Sequence, residues 1–231
     1  MLLALDTSTP AVTVALHDGE RVVTEVVHVD ARRHTELVAP AIAEALAETG
    51  AERSDLGRIV VGVGPGPFTG LRIGLVTART LGAALGIPVD GVCSLDIVAA
   101  AVEADEPFVI VTDARRREVY WAAYAAPSPM IMSVQQGHSQ LNRHDHGRVR
   151  RTSGPEVVRP ADVATELPAA GPGAHLYGEF FPNRTGPHYP SASTLASAFV
   201  ESAVEVVPPE PMYLRRPDAR PPGERKPVLS R

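Results

Sequence analysis

A carboxylate and three hydroxyl groups follow the first apolar segment of the chain, LLAL. They are the side chains of Asp6, Thr7, Ser8 and Thr9. At the end of a buried strand, such a carboxylate can bind a hydrated cation while the hydroxyls and the amides of the turn hydrogen-bond a phosphate. The same residues form an ordinary polar turn when the aspartate bonds its own backbone. The pattern therefore predicts either a nucleotide-binding turn or a structural one.

A glycine-rich segment, GVGPGPFTGLRIG at residues 62–74, has the composition of a phosphate-binding loop that leads into a helix. Its candidate anion-binding residues are Gly64, Gly66, Thr69 and Gly70. Glycines let the backbone approach a ligand, and the first amides of a helix attract an anion. However, Pro65 and Pro67 lack an N–H group, and no lysine follows the loop. A structural or partner-facing role is therefore as well supported as nucleotide binding.

Small residues recur every four positions after this loop. They are Gly70, Gly74, Ala78 and Gly82. On a helix this spacing creates a narrow face that another element can approach closely. Because each glycine destabilises a helix by roughly 1 kcal/mol relative to alanine, we expect a packing contact to compensate. That contact is either the chain's own sheet or a partner subunit, and the second interpretation predicts that Gly74→Leu abolishes pairing while the monomer stays folded.

The histidines and the cysteine do not form a recognisable metal or thiol site. His34 opens the HTEL segment, but no second histidine follows at helical spacing, so we interpret it as a helix-capping or interface residue. His138, His144 and His146 are scattered through a polar segment without a defined ligand spacing. Cys93 has no companion cysteine and is expected to be an inert buried thiol. The sequence also lacks a Gly-x-Ser-x-Gly elbow, so it predicts no covalent nucleophile.

The elements that would position these residues alternate in a regular order. Short β-branched segments predict strands at 2–6, 11–17, 21–29, 58–64 and 87–92, the first three as an antiparallel meander. Apolar residues at helical spacing predict helices at 35–49, 71–85 and 95–104. Pro40 is expected to delay the regular start of the first helix. A meander followed by helix, strand and helix is the pattern of actin-like lobes.

The strand pattern restarts near residue 107. PFVIVTD and EVYWAAYA predict a strand pair around the polar turn ARRR, which indicates a duplicated lobe. Later elements are predicted as a short helix at 160–166, a strand near 174–178 and a helix near 193–203. The predicted domains are an N-terminal lobe at 1–106, a smaller lobe at 107–206 with a mobile insertion at 126–153, and a Pro-rich basic tail at 207–231.

Composition limits the class of protein. The chain has 231 residues, of which 44% are hydrophobic, so it can bury a sizeable core. It shows no basic leader, no apolar run long enough to span a bilayer and a single cysteine, so we expect a soluble cytoplasmic protein with no membrane association. The net charge is −5, and acidic residues outnumber basic ones about two to one in residues 1–106. A protein that holds nucleic acid alone would need a broad basic face, which this sequence does not predict.

Six segments together resemble the TsaB (YeaZ) family. They are LALDTST, the H-x-E-L-x-x-P of residues 34–40, GVGPGPFTGLRIG, IPVDGVCSL, DARRREVYWAAY and PMYLRR. The resemblance covers most of residues 1–125 and continues more weakly through 154–216. It implies a two-lobed actin-like α/β fold of the ASKHA (RNase H-like ATPase) class in a degenerate form. Pro67 replaces the serine that is usual in the family motif, and residues 126–153 depart from the family as an insertion.

Members of this family are similar to a shortened form of the catalytic subunit TsaD. The resemblance implies a non-catalytic scaffold subunit that pairs with and activates TsaD, for threonylcarbamoylation of N6 of adenosine 37 in tRNAs that decode codons beginning with A. It implies no cofactor on this chain, ATP and a metal ion on partner subunits, TsaE in a larger complex, and tRNA contact only through the complex. The isolated chain is expected to form a homodimer. An autonomous actin-like ATPase or phosphotransferase is the alternative, and a protease ranks last because no metal pair, triad or paired thiol is present.

The resemblance also places candidate site residues. The degenerate nucleotide-binding-like residues are Asp6, Thr7, Ser8, Gly64, Gly66, Thr69 and Gly70. The expected partner interface comprises His34, Glu36, Leu37, Ala41, Gly70, Gly74, Ala78 and Gly82. No catalytic residue and no metal ligand is predicted.

Overall fold

The computed structural model describes residues 1–30, 33–126 and 149–215. Within these ranges the strands are β1 (Leu2–Asp6), β2 (Ala11–His17), β3 (Val22–Val29), β4 (Arg58–Gly62), β5 (Val89–Val92), β6 (Phe108–Asp113), β7 (Val119–Tyr124), β8 (Arg151–Val158), β9 (Ala169–Ala170) and β10 (Val206–Val207). The helices are α1 (His34–Thr49), α2 (Phe68–Leu85), α3 (Ser94–Ala100), α4 (Pro172–Leu176) and α5 (Ala192–Val200), with turns of 3-10 helix at Arg53–Asp55 and Pro160–Val163. None of these helices is both long enough and apolar enough to cross a lipid bilayer.

The first sheet is mixed and has the strand order β10-β5-β4-β1-β2-β3. β1, β2 and β3 form an antiparallel meander, whereas β4 and β5 continue the sheet parallel to β1. Helices α1 and α2 cover one face and α5 covers the other. Because both faces are covered, every residue of β1 and β2 is buried, which explains their nearly continuous apolar sequences. The predicted meander and the helix–strand alternation after it are confirmed.

The second sheet, with the order β8-β7-β6-β9, repeats this arrangement. β6 pairs antiparallel with β7 and parallel with β9, as β1 pairs with β2 and β4. β8 then completes the antiparallel meander. The predicted strand pair around the ARRR turn is confirmed. Because the order β8-β7-β6-β9 corresponds to β3-β2-β1-β4 of the six-stranded first sheet, the chain has the two-lobed actin-like α/β fold that the sequence predicts.

The last described segment returns to the first sheet. Leu195 and Ala196 of α5 pack in one core cluster with Leu2 and Ala4 of β1, and β10 pairs antiparallel with β5. The predicted assignment of these elements to the smaller lobe is therefore wrong. A helical pattern shows that one face is buried but not which sheet covers it.

Two local predictions differ from the structure. The strand predicted near 174–178 is helix α4, and the strand in this region is β9. Gly171 takes a positive φ of 96°, and Pro172 occupies the first helical position, where it favours helix initiation. Helix α1 begins at His34, so Pro40 does not delay its start. Pro40 is exposed, so water can bond the carbonyl that loses its N–H partner.

The predicted insertion and tail are each described in part. Residues 151–153 of the insertion begin β8, so the prediction is wrong for them. Residues 127–148, with their three histidines, lie outside the described residues, as do 216–231 of the tail. Residues 208–215 of the predicted tail lie against the first lobe, where Met212 packs against the core and its amide donates to the Val63 carbonyl at 2.8 Å.

Buried polar groups join the two sheets. The Tyr124 hydroxyl donates to Asp96 Oδ1 at 2.7 Å, and the Arg151 guanidinium lies 3.6 Å from Asp96 Oδ2. Arg151 also donates to Cys93 Sγ at 3.3 Å. Burial raises the pKa of the Cys93 thiol to about 12, so the group stays protonated at neutral pH and is a weak nucleophile. The predicted buried thiol is confirmed.

Candidate functional site

The carboxyl ends of β1 and β4 bring the two candidate phosphate-binding segments together. Because the strands are parallel neighbours, the turn after Asp6 and the loop after Gly62 begin at the same edge of the first sheet. Ser94 links the two: its hydroxyl donates to Asp6 Oδ2 at 2.5 Å and accepts from the Gly64 amide at 3.0 Å. The sequence analysis missed Ser94. The available signal was its place just after β5, a third parallel strand that ends at this edge.

The Asp6 carboxylate accepts three hydrogen bonds from its own chain. Oδ1 accepts from the Ser8 amide at 2.8 Å and from the Ser8 hydroxyl at 2.7 Å, and Oδ2 accepts from Ser94. A Cβ built on Gly62 would lie 1.8 Å from Oδ2, so the carboxylate rests directly on this backbone. The side chain is 1% exposed. This geometry is that of the structural polar turn rather than that of a carboxylate free to bind a hydrated cation.

The environment of Asp6 changes its pKa. Burial raises the pKa of this carboxyl above its ordinary 3.8, and its effect exceeds the opposing effect of the hydrogen bonds from Ser94 and Ser8. Above pH 3.8 the unfolded chain has lost this proton while the folded chain still holds it. The contribution of Asp6 to stability therefore falls as the pH rises from 3.8 through the folded-state pKa.

We expect Asp6→Asn to remove this pH dependence and to leave the fold intact. The amide oxygen can accept both bonds from Ser8, and the amide nitrogen can donate to Ser94. Urea unfolding of both proteins between pH 4 and pH 8 measures the effect. The stability of the wild type relative to Asp6→Asn should decrease with rising pH, by about 1.4 kcal/mol for each unit by which the pKa is raised. A relative stability that increases with pH would mean that the hydrogen bonds outweigh burial.

The glycines of the loop approach the chain's own backbone. A Cβ built on Gly66 would lie 2.3 Å from the Ser8 carbonyl oxygen, and one on Gly70 would lie 2.5 Å from the Thr7 carbonyl oxygen. The Thr7 hydroxyl donates to the Gly70 carbonyl at 2.8 Å. The sequence analysis expected a close backbone approach here, and the structure shows that the group approached is the β1–β2 turn. The two segments that would enclose a phosphate are therefore packed against each other.

The small-residue face of α2 also packs inside the chain. A Cβ built on Gly74 would lie 2.4 Å from Thr7 Oγ1, and one on Gly82 would lie 2.3 Å from a methyl group of Val89. Ala78 is fully buried in the core of the first lobe. The prediction that this face binds a partner is wrong. The chain's own sheet covers the face, which is the other interpretation that the sequence left open. Small residues are needed because α2 crosses close to the ends of β1 and β5.

Two adjoining cavities lie in the cleft between the lobes. Each has a volume of about 210 Å³, and both are lined by Thr9, Pro10, Pro67 and Arg115. Each cavity alone is smaller than the roughly 300–1,000 Å³ of pockets that enclose drug-sized ligands.

The second lobe contributes groups to this cleft that the sequence analysis did not select. The Tyr120 hydroxyl donates to the Gly66 carbonyl at 3.2 Å and holds the loop from the side of β7. Thr112, which lines one cavity, is 4% exposed, and its hydroxyl has no hydrogen-bond partner among the described residues. In the part of the chain that the structure describes, no three His, Cys, Asp or Glu side chains group as a metal site.

The outer surface of α1 and α2 exposes apolar side chains. Val76 is 61% exposed and Phe68 is 41% exposed. Leu37 and Ile73 are half-buried, and Pro40 is exposed. We call this surface the α1–α2 face. It lies opposite the small-residue face of α2.

The predicted interface residues of α1 divide between surface and interior. Glu36 is exposed and Leu37 is half-buried, so both are accessible to a partner. Ala41 is fully buried. His34 is also buried, and its Nε2 lies 2.7 Å from the Thr9 carbonyl oxygen, so this nitrogen carries the proton and donates. The prediction that His34 and Ala41 contact a partner is wrong, because His34 fixes α1 to the turn after β1 and Ala41 fixes it to the core.

Residues 208–215 form a strap that connects the two lobes. The Tyr213 ring stacks on Phe68 with ring centroids 5.1 Å apart, and Arg72 Nε donates to the Tyr213 hydroxyl at 3.0 Å. Beyond this contact, Arg215 donates to the Ala114 carbonyl at 2.6 Å. The strap therefore links the beginning of α2 to the β6–β7 turn.

Comparisons with known proteins identify relatives along most of the chain. A family model described as "TsaD: tRNA N6-adenosine threonylcarbamoyltransferase" matches residues 22–141, just over half of the chain. An uncharacterized protein of Mycobacterium tuberculosis is 42% identical over 228 residues, which cover 95% of this chain and 94% of that protein. The tRNA threonylcarbamoyladenosine biosynthesis protein TsaB of Escherichia coli is 32% identical over 162 residues, which cover 68% of this chain and 69% of that protein.

A solved structure agrees with this assignment. The crystal structure of a Pseudomonas aeruginosa protein described as similar to the peptidase YeaZ superposes with a TM-score of 0.72 at 32% identity. The superposition covers 93% of this chain and 99% of that protein. The matched sequence relatives, the shared fold and the motifs at Asp6–Thr9 and Gly64–Gly70 all lead to one assignment. The chain belongs to the TsaB (YeaZ) family.

Proposed function

We propose that this chain is the non-catalytic scaffold subunit of a cytoplasmic complex that forms threonylcarbamoyladenosine in tRNA. In this proposal it pairs with a TsaD-type catalytic subunit and activates it for the modification of N6 of adenosine 37. The names of its TsaB relatives support the pathway. The observation that carries the pairing is the α1–α2 face, where Val76 and Phe68 of α2 expose apolar surface and Leu37 and Ile73 are half-buried. Several accessible apolar side chains on one surface are typical of a partner surface.

The geometry of the cleft supports a scaffold role rather than a chemical one. The Asp6 carboxylate is buried and accepts three hydrogen bonds, from Ser8 and Ser94. Gly66 and Gly70 are packed on the neighbouring turn. We therefore place no cofactor on this chain and assign ATP and the metal ion to the partner subunits. TsaE would join the larger complex, and tRNA would bind only within the assembled complex.

Co-purification with the cognate TsaD and a transfer assay test the proposal. We expect this chain alone to transfer no threonylcarbamoyl group, and the pair to transfer it to an unmodified tRNA supplied with threonylcarbamoyl-adenylate. TsaD alone is the matched control, and its activity should increase on addition of this chain. Failure of the two proteins to associate would contradict the proposal.

Calorimetry with Mg-ATP addresses the alternative of an autonomous ATPase. We expect the isolated chain to give no measurable heat of binding at micromolar concentrations, because Gly66 and Gly70 of the loop are packed against the β1–β2 turn. Micromolar binding accompanied by hydrolysis would favour the ATPase. The same preparations, run on a sizing column, would show whether the isolated chain forms a homodimer through the α1–α2 face.

A further inference from the structure

Three consecutive arginines form the tip of the turn between β6 and β7. Arg115, Arg116 and Arg117 are exposed, and their φ angles are 63°, 54° and 61°. The Glu118 amide donates to the Arg115 carbonyl at 3.0 Å, so Arg116 and Arg117 occupy the two central positions of a left-handed hairpin turn. Asparagine and glycine are favoured at such positions because a longer side chain is strained there. The backbone conformation therefore does not explain why arginine occupies these positions. We look for the reason in the guanidinium side chains.

The surrounding contacts hold this turn in place. Arg215 of the strap donates to the Ala114 carbonyl at 2.6 Å and forms an ion pair with Glu118. The Arg115 guanidinium lies 3.5 Å from the Asp113 carboxylate. Four arginines are thus collected around two carboxylates. Residues 1–106 hold about two acidic residues for each basic one, whereas this turn carries three consecutive arginines.

Neighbouring residues extend the same edge. Val158 pairs with Val119, which places the following Arg159 at the end of the sheet that carries the turn. A guanidinium group binds phosphate oxygens through paired N–H donors. Adjacent exposed arginines therefore suit the repeated phosphates of an RNA backbone.

The position of the turn relates it to the proposed partner surface. Arg115 lines a cavity together with Thr35 and Thr69, which lie in the first turns of α1 and α2. The turn therefore borders the α1–α2 face. We propose that the arginine turn, residues 115–117, contacts phosphates of the tRNA that the catalytic partner holds. This inference rests on the proposed function and adds that the chain contributes its own RNA contacts inside the complex.

The variant Arg116→Asn/Arg117→Gly tests the inference with little risk to the fold. It removes two positive charges and introduces residues that a left-handed turn favours. The matched control is Arg21→Gln/Arg53→Gln, which removes two exposed charges at the opposite end of the first sheet. Binding of an unmodified tRNA transcript to the complex is measured by fluorescence anisotropy over a series of salt concentrations. We expect about 5- to 20-fold weaker binding, with a slope of log affinity against log salt that is smaller by about 1 to 2, and a change of less than about twofold for the control.

Association of the two proteins is measured separately by calorimetry without RNA. Unchanged affinity and salt slope in an intact variant complex would overturn the proposal. Loss of protein pairing in the variant would also overturn it, because the arginines would then contact the partner protein. A wild-type chain that does not pair would instead contradict the proposed function, and the RNA role would fall with it.

Discussion

Replacing Val76 by arginine is expected to abolish pairing with the catalytic subunit while the chain stays folded. Val76 is 61% exposed on the α1–α2 face, so arginine enters water in the free chain and should change the free energy of unfolding by less than about 0.5 kcal/mol. In a complex the guanidinium would be buried among apolar groups without a partner. We expect the Kd for the partner to rise by about 100-fold or more, which corresponds to about 2.7 kcal/mol. Calorimetric titration and thermal unfolding measure the two effects.

The matched control for this change is Val200→Arg. Val200 is also an exposed helical valine, 44% exposed, but it ends α5 on the other side of the first sheet. It should leave pairing unchanged. If Val76→Arg pairs as the wild type does, the α1–α2 face is not the partner surface.

Replacing Gly74 by leucine is expected to damage the fold rather than the pairing surface alone. A Cβ at this position would lie 2.4 Å from Thr7 Oγ1, and Thr7 is itself held by its bond to the Gly70 carbonyl. Overpacking of a core costs about 1–3 kcal/mol and more where neither partner can move, whereas leucine offsets only about 1 kcal/mol through its better helix propensity. We expect a net loss of about 2 kcal/mol, or a fall in Tm of about 4–8 °C for a chain of this size.

The control for this change is Thr80→Leu on the exposed side of the same helix. Because Thr80 is exposed, leucine gains helix propensity there without a clash, and the Tm should not fall. Differential scanning calorimetry of both variants compares them directly. A Gly74→Leu chain with an unchanged Tm would show that α2 can move away from Thr7, and it would restore the sequence-based expectation that this substitution affects pairing alone.

The contrast between Gly74 and Val76 shows where sequence patterns reach their limit. The four-residue spacing correctly indicated a narrow helical face that needs a close neighbour. Close packing against a sheet and close packing against a partner helix both require small residues. The pattern therefore does not tell which of the two covers the face. The answer depends on the register of α2 over β1 and β5, which is set by contacts between distant parts of the chain.

The candidate site follows the same rule. The types of Asp6, Ser8 and Gly66 were sufficient to select the right edge of the sheet, because parallel strands end there together. The hydrogen bonding of these residues was not predictable, since it depends on Ser94, which is distant in sequence and donates to Asp6 Oδ2. The sequence therefore located the site but did not reveal that its ligand-binding groups are occupied by the chain itself.

Strands and helices were predicted well where the periodicity is local, as in β6 and β7 around the arginine turn. The errors occur in short segments, which contain too few residues to distinguish the periodicity of a helix from that of a strand. Helix α4 has five residues, and its start depends on the positive φ of Gly171 and on Pro172. The return of α5 to the first sheet is an error of another kind, because no local signal specifies a long-range partner.

That return has a consequence for synthesis on the ribosome. The face of β1 that carries Leu2 and Ala4 is covered by α5, and β5 is completed by β10. Although β1 to β5 emerge first, this lobe has an uncovered apolar face until residues 192–207 have left the exit tunnel. The second sheet, made from β6 to β9, can form earlier. We therefore expect the lobe that begins the chain to be the last to complete its fold, the reverse of the usual order in which N-terminal domains fold first during translation.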